Sequence, residues 1–201
     1  MAWKNEKWLS NIFPGPERIY EKYRLLSDRE LSIVAASVLD AAIAELLFLR
    51  LTGSETERHA FLGLDGDGRA PCGSFGSRIQ LAVVLDLITK DDATILRAIK
   101  NLRNRFAHEV NVTFTSANVI PISIALCDSF NTLKQRLIDG QFIKEISVGL
   151  GELRAAIPTQ SEAGAGLLLS VFCTYHAYFH RISERVRPIP SLLDHENINM
   201  Q

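Results

Sequence analysis

The segment SDRELSIVAASVLDAAIAELLFLRL, residues 27–51, constrains the fold of this chain more than any other stretch. Ser27 followed three positions on by Glu30 has the form of a capping box, so the spacing predicts a helix that begins there and runs to about Leu51, with Gly53 ending it. That helix is apolar nearly all round. A helix with one apolar stripe packs on one side, whereas one that is apolar on every side has to be enclosed. Its length matches the ~20 residues that cross a bilayer. Asp40 and Glu45 lie near its middle, however, where hydrocarbon would penalise each by ~2.5–3.5 kcal/mol. The expectation is therefore a central helix buried in protein. Residues 163–179, AGAGLLLSVFCTYHAYF, are shorter, contain His176, and read the same way.

The rest of the chain supplies the enclosing helices. SRIQLAVVLDLI predicts a second core helix ending near Thr89. TKDDATILRAIKNLRNRFAHEV predicts a third, opened by Thr89 as cap and by acids that suit the positive end of the helix dipole. Further helices are expected at about 122–139 and about 160–186. Between the first two helices, the twenty residues that contain LGLDGDGRAPCGSFG read as a loop, because glycines and turn formers crowd there. VNVTFTSANVIPI is β-branched and interrupted by Pro121, a connector or at most a short strand. No internal repeat or low-complexity tract intervenes. At 201 residues, with 47% apolar and 22% charged residues, the chain suits one domain with a sizeable core. The reading is an all-α, single-domain bundle of about six helices over residues 27–187, with an N-terminal arm at 1–26 and a loose C-terminal tail at 188–201.

Charge and cysteine content narrow the function. A formal net charge of −1 provides no overall basic field for nucleic acid, and no helix-turn-helix with a basic second helix or zinc finger is legible. Tight binding to duplex DNA is therefore not expected. Cys72, Cys127 and Cys173 lie far apart without a CxxC pair, which suits reduced thiols. The opening MAWKNEKWLSNIFPG is too polar for a signal-peptide core, so the expected location is the cytoplasm. No cofactor motif, hydrolase triad or phosphate loop is present. Asp65-Gly66-Asp67-Gly68 looks like the start of a calcium loop, but Arg69 and the lack of a glutamate at the twelfth position make it a turn. His176, His180 and Glu184 have metal-compatible spacing, yet nothing nearby adds a ligand, so they read as core or interface histidines and no metal is expected. Asp40, a charge in the most apolar helix, is expected to pair with Arg78 or Arg103 or to face a cleft.

The third helix carries the functional signal. At about 100° per residue, Ile95, Ile99, Leu102 and Phe106 fall on one side, and Arg97, Lys100, Asn101, Asn104 and His108 on the other. Arg103 lies at the flank. This face offers cations, amides and one imidazole that can titrate near neutrality. Arg103-Asn104-Arg105-Phe106-Ala107-His108 resembles the arginine, polar residue, then histidine signature of the HEPN superfamily of small helical proteins. Leu39-Asp40 in an apolar helix, LDGDG at 64–68, GSFGSRIQLAVVLDLI and the RNRFAH end together resemble the mannitol operon repressor family over roughly residues 25–115.

The second resemblance implies a helical regulator without a conventional DNA-reading motif, acting by binding a protein partner or RNA. The first implies a homodimer, and as a rival a metal-independent endoribonuclease of the toxin or defence kind. In that chemistry His108 moves the proton, Arg103 clamps the phosphate and Asn104 orients either. Arg97, Lys100 and Asp40 are the expected binding residues around it. A third reading needs neither: arginine and histidine are favoured in any last helical turn, where cations meet free carbonyls.

Overall fold

The computed structural model describes residues 23–66, 68–139 and 149–190, and these contain seven α-helices and no strand. Helix α1 spans Asp28–Arg50 and is capped by both halves of the Ser27/Glu30 box. Helix α2 is Glu55–Leu62, α3 Phe75–Val84, α4 Lys90–His108, α5 Ile120–Asp139, α6 Leu150–Ala156 and α7 Ser161–Ser183. The all-round apolarity of α1 has a structural answer: α7, α4, α3 and α2 pack around it. α1 is long and apolar enough to cross a membrane by length and composition, but 61% of its apolar window is buried inside this bundle. Its neighbours already provide the enclosure that such a helix demands.

Three expectations change. The loop after Gly53 begins with a helix, α2, capped by a Ser54/Glu57 box and ended by Gly63 in the left-handed region (φ 61°). Arg58 docks α2 by donating to the Phe48 carbonyl (2.8 Å) and stacking on the Phe48 ring. Helix α3 stops at Val84 instead of reaching Thr89. Asp86 takes φ 54°, and the Leu87 N–H returns to the Ala82 carbonyl (2.9 Å), which closes the helix early. Pro121 does not interrupt the connector: it sits in the first turn of α5, where its missing N–H costs nothing. The short α6 had no sequence expectation at all.

The two remaining turns around α1 depend on single side chains. Arg78 is buried, pairs with Asp40 Oδ1 (2.8 Å) and donates to the Leu62 and Cys72 carbonyls (2.6 and 3.0 Å), so one guanidinium ties the glycine-rich loop to α1. The connector 109–119 is fixed by Phe114, fully buried against Phe106 at a centroid distance of 4.9 Å. The Phe114 N–H donates to Asp28 and Ser161 (3.2 Å each), joining the starts of α1 and α7. Gly164 makes room for this ring, since a Cβ there would lie 2.5 Å from Phe114 Cβ. Of the expected tail, Ile189 donates to the Arg50 carbonyl (3.0 Å), which anchors its start. Most of the expected arm (1–22) and the rest of the tail (191–201) lie outside the described residues.

Candidate functional site

The capping box at Thr89/Asp92 sets the register of α4, and its apolar period does the rest. Ile95, Leu96, Ile99, Leu102 and Phe106 are fully buried, so the polar residues between them are turned outward. Arg97, Asn101, Arg103, Arg105 and His108 are exposed, and Lys100 and Asn104 half-buried. Between the last turns of α4 and the first turn of α5 lies an open groove of about 550 Å³ lined by Asn101, Asn104, Arg105, His108, Glu109 and Ile122.

The groove combines amides, an imidazole, an ion pair and one apolar wall. Asn104 Oδ1 accepts from Arg103 Nη1 (3.1 Å), which leaves its amide N–H groups as donors. Arg105 Nη1 meets Glu109 Oε1 at 2.8 Å, and the other carboxylate oxygen accepts from Asn118 Nδ2. Those two hydrogen bonds, Arg105's the larger influence, hold the Glu109 carboxyl below its ordinary range. Arg29 Nη2 donates to the Glu109 carbonyl (2.6 Å), so α1 also grips the end of α4.

Of the expected site residues, Asn104 and His108 come together in this groove. Arg103 reaches it through Asn104 and does not line it. Arg97 and Lys100 line no part of it; Lys100 leans the other way, its ammonium 3.3 Å from where a Cβ on Gly76 would stand. Asp40 is likewise elsewhere, in its ion pair with Arg78. Burial is the main influence on Asp40 and raises its carboxyl above the ordinary range, against the pull of Arg78 and then Arg103. Both arginines named from the sequence thus bear on it, Arg78 by contact and Arg103 by field.

Sequence reasoning missed Arg105, Glu109, Asn118 and Ile122. The Arg105/Glu109 pair had a legible signal, since residues four apart on a helix are neighbours. Asn118 and Ile122 had none, because only the folding of the connector brings them to α4.

The second histidine group lies across the bundle. His180 Nδ1 is 3.9 Å from Glu184 Oε1, and Glu45 of α1 lines a small cleft with His176 and His180. Burial and then the neighbouring His180 push His176 down to about 4, while burial pushes Glu45 up. Among the described residues no three histidine, cysteine or acidic side chains are arranged to hold a metal ion. The LDGDG segment forms turns, with Gly66 at φ 86° and His59 Nδ1 3.8 Å from Asp65; Asp67 lies outside the described residues. Comparison of the chain with family models, with curated proteins and with solved structures finds no match.

Proposed function

We propose that this chain is a cytoplasmic regulatory protein that works by binding a partner at the α4 groove, as its resemblance to the mannitol operon repressor family implies, and that it pairs as a homodimer. One observation carries the reading. The folding duty of α4 is discharged by its apolar stripe, while Asn101, Asn104 and His108 stay accessible around a groove. Arg97, Lys100 and Arg103 on the same helix have no salt-bridge partner among the described residues. Amides at the groove, with Arg103 reaching it through Asn104 and the other cations of the helix adding positive field, favour an acidic segment of a partner protein, and doubling the face in a dimer would strengthen that field.

The test is binding of a fluorescent hexaglutamate peptide followed by anisotropy, alongside sedimentation of the protein alone. His108→Ala and Arg103→Gln should weaken binding several-fold with the melting temperature nearly unchanged. Unchanged binding in both variants, or a strictly monomeric chain, overturns the reading. Nanomolar binding to random duplex DNA at physiological salt would contradict the indirect mode of regulation.

The Arg103–Asn104 hydrogen bond, with His108 one turn on, favours a second reading: a metal-independent ribonuclease of the HEPN kind. Cleavage of single-stranded RNA in EDTA by the wild type, lost in His108→Ala, would select it over the first.

A further inference from the structure

Glu109 sits where a ligand would. It is the C-cap residue of α4, and its carboxylate lines the groove beside His108 and Asn104. The position is unfavourable for an acid by itself, because the last carbonyls of a helix repel negative charge. It is held there by one guanidinium and one amide, each donating to a different oxygen. Arg105 and Asn118 therefore form a seat for a carboxylate, and the chain's own glutamate fills it. The pair is only loosely committed: the Arg105 side chain is 49% exposed and that of Glu109 34%. Exposed ion pairs of this kind exchange readily for other partners, since water and salt already compete for them.

The backbone around the seat is held more firmly than the side chains. Asn118 belongs to the connector pinned by Phe114, and the backbone of Glu109 is gripped by Arg29. The glutamate side chain is thus free to leave while the connector that carries Asn118 stays in place. Among the described residues, the other cations on α4 have no carboxylate partner of this kind.

We infer that Glu109 is an internal stand-in for a carboxylate of the partner, and that displacing it exposes Arg105 as an anion-binding position in the groove. This rests on the partner-binding reading above and adds to it a residue that sets affinity. The occupant is an acidic peptide segment: the seat already holds a carboxylate, and one donor on each oxygen suits that flat two-oxygen group.

The experiment measures hexaglutamate binding by anisotropy for the wild type, Glu109→Gln, Asn118→Ala and Glu109→Gln/Arg105→Gln, with a single-stranded hexanucleotide RNA as the comparison probe. Emptying the seat should tighten peptide binding by about 1.4- to five-fold in Glu109→Gln, the range set by an exposed pair. Asn118→Ala should give no such gain, because it removes a donor from Glu109 and from the incoming carboxylate alike. The gain should vanish in the double variant. Equal binding by the wild type and Glu109→Gln, or a gain that survives loss of Arg105, overturns the stand-in while leaving the groove reading intact. A gain seen with RNA alone overturns the peptide as occupant. Absence of peptide binding in all four proteins overturns the inference and the groove reading together.

Discussion

The two ends of α4 each carry an acid that meets an arginine, and they do opposite things with it. At the start, Asp92 is fully buried; it accepts from the Thr89 cap, from Tyr175 Oη (2.9 Å) and from Arg136 Nη2 (3.2 Å). Burial, and then the facing Asp92 carboxylate, hold the Tyr175 phenol well above its ordinary range, so it stays a donor. This cluster joins α4, α5 and α7 and has no access to solvent at its acid. At the end, Glu109 also links α4 to the connector and to α1, but in the open. The same pairing is scaffold where water is excluded and an exchangeable contact where it is not, because an abandoned buried charge has nothing to replace its partner. Phe106, one turn before the exposed end, shows how narrow the boundary is: it is fully buried while its neighbour Arg105 is exposed.

Truncation of Phe106 should have the largest effect. Phe106→Ala removes a ring packed against Phe114 and should cost about 3–5 kcal/mol in urea unfolding; a loss below about 1 kcal/mol would mean the end of α4 is not rigid beneath the groove. Asp92→Ala should follow at about 3 kcal/mol, the lower end for breaking a buried pair, because Arg136 is 42% exposed and can return to water. If Asp92→Ala costs no more than Glu109→Gln, the contrast between the two ends fails.

Gly164→Ala should cost about 1–3 kcal/mol by forcing the Phe114 ring aside. It should also slacken Asn118, so hydrogen exchange of the connector amides should rise in that variant and not in Asp92→Ala. Wild-type protection there would show that the groove wall is held by something other than Phe114.

The smallest effect is one of pH, away from both ends. His176 is neutral in the fold down to about 4, against an ordinary 6.5, with Glu45 and His180 facing it. The unfolded chain takes up the proton first, so this contribution to stability is complete above 6.5 and is lost as pH falls from there to about 4. Glu45, raised by burial, works in the opposite sense, gaining stability on acidification. The contribution of His176 is therefore read from the difference between wild type and His176→Gln, whose stability gap should shrink over that window. A gap independent of pH would contradict it.

What the sequence alone determined is what short spacing governs. The Ser27 capping box, the Thr89 cap, the stripe Ile95–Ile99–Leu102–Phe106 and the outward turn of Asn104 and His108 all depend on residues close in sequence, and the structure has each of them. The Ser54/Glu57 box was legible by the same rule and was obscured by the glycines that follow it. The early end of α3 turns on Asp86 adopting a left-handed conformation, which residue type permits without requiring. Asp92 could be read only as an acid at a helix start, since its burial comes from Tyr175 and Arg136 on helices far along the chain. The same holds for Asp40, where two arginines were open and packing put Arg78 in contact. At the groove, tertiary structure decided that Arg105 lines it, that Arg103 stands behind Asn104, and that Asn118 completes a carboxylate seat. Helical periodicity orients side chains about one axis, but which side chains meet across axes depends on how the connector closes, and that is fixed by one phenylalanine ring fitting over one glycine.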